Sequence, residues 1–312
     1  MENKIYNWIF TLKAIAIILI TNSHFKPIYP SFFSQFAFGG AMGCAIFFFC
    51  SGFTMASIDT SSFLKYIIKR LMRIIPPVWI FSICIINSTD WKDYILIDSY
   101  WFLQAIIVFY ILFYFTIKYL KTVIIYIALF MLVPLLLMYN HTPHNTWIID
   151  YAAHPYHITW FYYFSIMLVG AYCRIKEKNI ITNRKYAIYF LFSFIILYGI
   201  KYIGRTHIRL INIQLLFPIF LIISTLIVYK ASQAFDKIQN KHINRCIMFL
   251  QKYTLEIYIV QFSCIHFCTT ISFELLRIVL VIPLILISAF LLHMTSSFIT
   301  NNIFKLPLLI NK

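Results

Sequence analysis

Long apolar stretches, separated by short polar or basic segments, follow one another along the whole chain. A helix that spans a bilayer needs about 20 mostly apolar residues. Ten stretches fit that demand: 8–25, 33–56, 74–88, 100–117, 122–139, 159–173, 186–203, 210–229, 247–268 and 275–296. The pattern predicts an all-α fold, a polytopic transmembrane helical bundle of about ten spans. No segment reads as a linker, so residues 1–312 are expected to form a single integral-membrane domain. The N-terminal apolar run lacks a small-residue cleavage site and is read as a retained first helix.

One connecting segment has a pattern of its own. In 57–73, Phe63, Leu64, Ile67, Ile68 and Leu71 alternate with Lys65, Lys69, Arg70 and Arg73, which predicts an amphipathic helix on the cytoplasmic surface. Pro76 and Pro77 are expected to end it.

Composition agrees with lipid as the solvent. Hydrophobic residues make up 62% and charged residues 12%, against about 45–50% and about 25% in soluble domains. A net charge of +16 would suggest nucleic acid in a soluble protein. Here the basic residues lie between apolar runs, so they set topology and attract anionic lipid headgroups. With the N-terminus inside, the inner segments hold 18 Lys and Arg and the outer segments 6, and Lys13 and Lys252 inside spans complete the 26. That asymmetry predicts both termini in the cytoplasm.

Seven scattered cysteines, odd in number and without a CxxC, read as small buried hydrophobes. Cys264, His266 and Cys268 do not share a helix face, so no metal is expected there. The outer loop 140–158 carries His141, His144, His154 and His157 beside Trp147, Asp150, Tyr151 and Tyr156, with no Lys or Arg. It reads as a solvated loop with interfacial aromatics, or as a surface whose rings pack against sugar CH groups.

Ionisable residues inside spans are costly and ask for a reason. Lys13 and His24 lie 11 residues apart, about three helical turns, and share a face of the first span. Alone, Lys13 would snorkel to the inner headgroups and His24 would cap the outer end. Together they suggest a buried polar track, in which His24 suits general-base work. Arg70 and Arg73, at i and i+3, form either a positive-inside anchor or a phosphate clamp. In span nine, Lys252 and Glu256 are four apart, so they either pair or leave Glu256 to orient a catalytic group.

Five segments in one order carry a family resemblance. Lys13 through His24 resembles the first helix of the membrane acyltransferase-3 family, and Phe47-Phe-Phe-Cys-Ser51-Gly52-Phe53 resembles its aromatic run ending in Ser-Gly-Phe. Lys69-Arg70-Leu-Met-Arg73-Ile-Ile-Pro76 is similar to its Arg-x-x-Arg loop, and Tyr100-Trp101-Phe102-Leu103-Gln104 to the entry of its fourth helix. Leu250 to Gln261, with Thr254 and Tyr258, resembles its late Ser/Thr-x-x-x-Tyr-Leu helix. The chain departs where the family usually has Arg for Lys13, an acid for Gln104 and His for Gln261.

The resemblance implies acyl transfer, usually of acetyl from acetyl-CoA, to a hydroxyl of a surface or lipid-linked sugar, in the cytoplasmic membrane of a bacterium. It implies His24 as the base with Glu256 in the catalytic set, and Arg70, Arg73, Lys13 and Ser51 toward the acyl-CoA donor. Trp101, Gln104 and Tyr258 fall to the carbohydrate acceptor. The implied partners are donor, acceptor and membrane lipids, with neither nucleic acid nor metal. Residues alone also allow a transporter or flippase of lipid-linked glycan without chemistry.

Overall fold

A computed structural model describes residues 7–85, 100–142, 146–150, 157–176, 185–235 and 241–302. Among them every regular element is a helix. In chain order these are α1 (Asn7–His24), α2 (Gly40–Met55), α3 (Phe63–Ile85), α4 (Trp101–Tyr119), α5 (Ile124–Phe130), α6 (Leu132–His141), α7 (Ile158–Ile175), α8 (Lys185–Thr206), α9 (Leu216–Phe235), α10 (Lys241–Lys252), α11 (Thr254–Thr269) and α12 (Glu274–Asn302).

Seven stretches are long and apolar enough to cross a membrane: Ser34–Met55, Trp101–Tyr119, Lys121–His141, Ile158–Ile175, Ile188–Thr206, Arg209–Ser232 and Glu274–Asn302. They coincide with seven of the ten expected spans. The other three differ for identifiable reasons. α1 is diluted at both ends by Asn7, Asn22, Ser23 and His24. α3 carries Lys65, Lys69, Arg70 and Arg73 in its first half. The ninth span is interrupted at Tyr253, leaving α11 at 16 residues.

Local sequence explains other boundaries. Ser62 begins α3 by accepting the Lys65 amide proton at 3.3 Å, and Asp59 accepts from the amide and hydroxyl of Ser61 at 2.9 and 2.8 Å. The expected stop at Pro76 and Pro77 does not occur, because α3 continues through both to Ile85. Each proline removes one amide donor, so the carbonyls of Met72 and Arg73 lose their usual helical partners, yet the flanking apolar turns keep the helix intact. Met131 separates α5 from α6. Pro134, in the first turn of α6, cannot donate to the Phe130 carbonyl.

The chain forms two compact units interleaved in sequence. Unit 1 comprises Met1–Ala16, Ala41–Ile58 and Phe115–Met248, and unit 2 comprises Ile17–Gly40, Asp59–Tyr114 and Phe249–Lys312. In unit 1, α8 packs on α9, and α7 on α5 and α6. Its core gathers Phe48, Phe49, Phe53, Tyr162 and Phe217, all at most 1% exposed. Gly52 of α2 and Gly170 of α7 let these helices meet backbone to backbone, since a Cβ on Gly52 would lie 1.8 Å from the Met167 carbonyl oxygen. A Cβ on Gly170 would lie 2.2 Å from that of Phe49.

Within the 140–158 loop, Trp147, Ile148 and Ile149 are buried in unit 1 rather than solvated as expected, while His141 and Thr146 are exposed. Trp147 is 9% exposed and meets Phe217 edge to face. Its Nε1 donates to Asp150 at 2.6 Å, and Asp150 pairs with Lys201, with Arg205 at 3.7 Å. Gln214 accepts from the amides of Ile148 and Ile149 at 2.9 and 3.1 Å and donates to the Tyr139 hydroxyl at 3.0 Å. His144, His154, Tyr151 and Tyr156 lie outside the described residues.

In unit 2, α12 packs on α11 and α3, and α11 on α3. The loop after α1 is held by Asn22, whose amide donates to the carbonyls of Phe36 and Phe38 at 2.8 and 2.9 Å. Asn22 Oδ1 in turn accepts from the Tyr29 hydroxyl at 2.6 Å.

Candidate functional site

Two clusters in unit 2 gather most of the candidate residues. The first surrounds His24, the last residue of α1. Its ring meets Phe262 edge to face with centroids 4.5 Å apart, and no hydrogen bond reaches it among the described residues. Phe262 contacts Tyr100 and Tyr258 at 5.7 and 6.2 Å. Tyr258 meets Phe102 at 5.3 Å, and the Tyr100 hydroxyl donates to the Ile259 carbonyl at 2.8 Å. The start of α4, which carries Trp101 and Gln104, is thereby fixed against α11. Both side chains are half-buried. Gln261 is fully buried, and neither polar atom of its amide has a partner among the described residues.

The second cluster lines a cavity of about 200 Å³, with Arg73 of α3, Lys252, Glu256 of α11, and His293, Ser297 and Asn301 of α12. Glu256 is 6% exposed. Its Oε1 lies 2.7 Å from His293 Nδ1, and its Oε2 is buried without a partner among the described residues. Tyr253 braces the imidazole edge to face at 5.0 Å. Lys252 does not pair with Glu256. The helix breaks at Tyr253, which destroys the i, i+4 relation, and Lys252 lies over the Tyr253 ring at 5.1 Å. Arg73 is exposed to this cavity, whereas the Arg70 guanidinium lies 5.7 and 5.9 Å from the rings of Tyr66 and Tyr110.

The clusters sit on one helix, and Glu256 and Phe262 are separated by roughly 9 Å of helical rise. The motifs do not single out His293. The available signal was an ionisable residue within the last apolar run; its partner lies 37 residues away.

Lys13 and Ser51 belong to unit 1. Lys13 is half-buried and lies within electrostatic reach of Cys50, the neighbour of Ser51. Next to Ser51, Phe53 receives the Trp8 ring edge at 4.8 Å and the Arg174 guanidinium at 5.5 Å. Among the described residues no group of three His, Cys, Asp or Glu is placed to hold a metal.

A bundle with spanning helices and an imidazole set among aromatics belongs with the membrane acyl-transfer proteins that its motifs resemble. The acyltransferase-3 family model, described as an acyltransferase domain, matches residues 6–296. The chain therefore belongs to that family. It is a multi-pass membrane protein and an acyltransferase. No curated protein and no solved structure matches it.

Proposed function

We propose that the protein transfers an acyl group, acetyl in the first instance, from acyl-CoA to a hydroxyl of a cell-surface or lipid-linked sugar. The carrying observation is that unit 2 holds a cationic cavity and a histidine set among aromatic rings, both bordered by α11. Ten crossings, with both termini in the cytoplasm of a bacterium, would put Arg73 on the cofactor side and His24 near the outer surface.

In this reading Arg70 and Arg73 hold the phosphates of acetyl-CoA, and Lys13 and Ser51 of unit 1 keep only the donor-binding roles that the family resemblance implies. The acceptor sugar lies against Trp101 and Tyr258, with Gln104 offering an amide. His24 takes the proton of the acceptor hydroxyl, and the oxygen attacks the thioester carbonyl. The carbon–sulfur bond breaks, and coenzyme A leaves as a thiol once it regains a proton. Glu256 acts on this chemistry at a distance, through His293.

The test is acetyl transfer from labelled acetyl-CoA to membrane glycan by purified protein. His24→Ala should reduce the rate by 100-fold or more, since general-base catalysis contributes about 10²–10⁴-fold. Retained transfer in a well-folded His24→Ala protein refutes the base. No transfer by the wild type to any glycan, alongside glycan movement across vesicles, would favour a transporter.

A further inference from the structure

The Arg73 cavity contains groups to which the donor reading gives no contact with the phosphates, namely Lys252, His293 with its partner Glu256, and the polar residues Ser297 and Asn301. We propose that this cavity is a phosphoryl-binding site in which Lys252 and His293 are ligands beside Arg73, and Glu256 positions His293. The inference deepens the acyl-CoA reading and takes the identity of the phosphoryl group from it.

Size sets the class of ligand. A cavity of about 200 Å³ falls below the roughly 300–1,000 Å³ of sites that enclose drug-sized molecules. It admits one compact polar group and leaves the remainder of a larger ligand outside. Charge sets the sign. Two permanent cations and one imidazole face the cavity with a single carboxylate, and that carboxylate is engaged by His293.

The pair also orients the ring. A carboxylate buried to 6% exposure is unfavourable without a proton or a cation beside it. His293 turns Nδ1 toward Glu256 at 2.7 Å, and its side chain remains 24% exposed. Nε2 is the nitrogen left for a ligand. When protonated it donates to a phosphoryl oxygen, as the Lys252 ammonium and Arg73 guanidinium do. Hydroxyl and amide groups of α12 complete a set rich in donors. The arrangement resembles a metal site's outer shell in its logic only, with a carboxylate fixing the ring while the opposite nitrogen meets the ligand.

The experiment uses the full chain in nanodiscs of zwitterionic lipid, titrated with inorganic pyrophosphate by calorimetry. Wild type should bind, and Lys252→Ala and His293→Ala should each weaken binding roughly tenfold to a hundredfold, the worth of one charge-assisted hydrogen bond. Lys252 is exposed, so its variant should keep the melting temperature and separate binding from folding. Positioning by Glu256 is read from nitrogen NMR of the imidazole. Pyrophosphate should shift the His293 ring signals in wild type but not in Glu256→Gln. Wild type without affinity for pyrophosphate, or variants that bind it equally well, overturns the site. Competition by coenzyme A identifies the donor as the source of the phosphoryl group. Competition by phosphatidylglycerol alone leaves the site standing and removes the donor reading.

Discussion

Replacing Gly52 by alanine tests whether the Ser51-Gly52-Phe53 segment is primarily a packing device. The new Cβ would lie 1.8 Å from the Met167 carbonyl oxygen, and real Cβ contacts essentially never fall under 3.0 Å. α2 and α7 must therefore separate by at least 1.2 Å at their crossing, because the obstructing atom is backbone and cannot swing aside. Separation would loosen Phe48, Phe49 and Met167, each fully buried. Overpacking of this kind costs about 1–3 kcal/mol, and a rigid neighbour places Gly52→Ala near the upper figure. At about 2–4 °C per kcal/mol, the apparent melting temperature should fall by about 6–12 °C. Fluorescence-monitored melting in detergent measures this. Gly170→Ala, whose Cβ would lie 2.2 Å from the Phe49 carbonyl oxygen, should fall by a similar or smaller amount. Gly199 of α8 has nothing within 4 Å of an added Cβ, so Gly199→Ala should be neutral or gain about 0.5–1 kcal/mol of helix stability. Equal melting temperatures for Gly52→Ala and Gly199→Ala would refute the backbone-contact explanation.

Other substitutions probe the remaining features. Gln214→Ala strands the amides of Ile148 and Ile149 and should cost about 2–4 kcal/mol, seen as lower thermal stability; a change below 1 kcal/mol would mean that water replaces the side chain. Asp150→Asn should cost about 1–3 kcal/mol, because it leaves Lys201 and Arg205 without their anion in a partly buried setting. Burial raises the Tyr29 hydroxyl above its ordinary value of 10.0. A raised folded-state value means that the neutral form favours the fold, so this contribution is complete below pH 10 and is lost as pH rises beyond it. Tyr29→Phe should flatten that alkaline arm of the stability profile, and an unchanged arm would assign it to another group.

Much of the fold is visible in the pattern of apolar runs, because a membrane helix satisfies its own backbone and declares itself by length. α4, α7 and α12 fall close to their expected positions for that reason. Breaks are harder to read. Tyr253 interrupts a run that carries no proline or glycine, and Pro76 and Pro77 fail to interrupt one that does. Both outcomes depend on tertiary packing, which overrides local propensity. The site divides in the same way. His24, Arg73, Trp101 and Tyr258 are legible as motif residues. The partner of Glu256 is not, because a spacing rule finds neighbours on one helix while His293 arrives from another. The reason for Gly52 is equally tertiary, residing in a carbonyl more than 100 residues away along the chain.

α10 has no buried residue. Lys241, Arg245 and Lys252 share it with Ile243, Met248 and Phe249, all exposed. Twelve residues with so little support from a protein core form a marginal helix in water. Its stability must then come from the bilayer surface, where the apolar side can sink and the cations can meet headgroups. Extraction into a neutral detergent removes that support. Since Lys252 closes this helix at the rim of the Arg73 cavity, the lipid chosen for reconstitution becomes a variable of the chemistry as well as of the preparation.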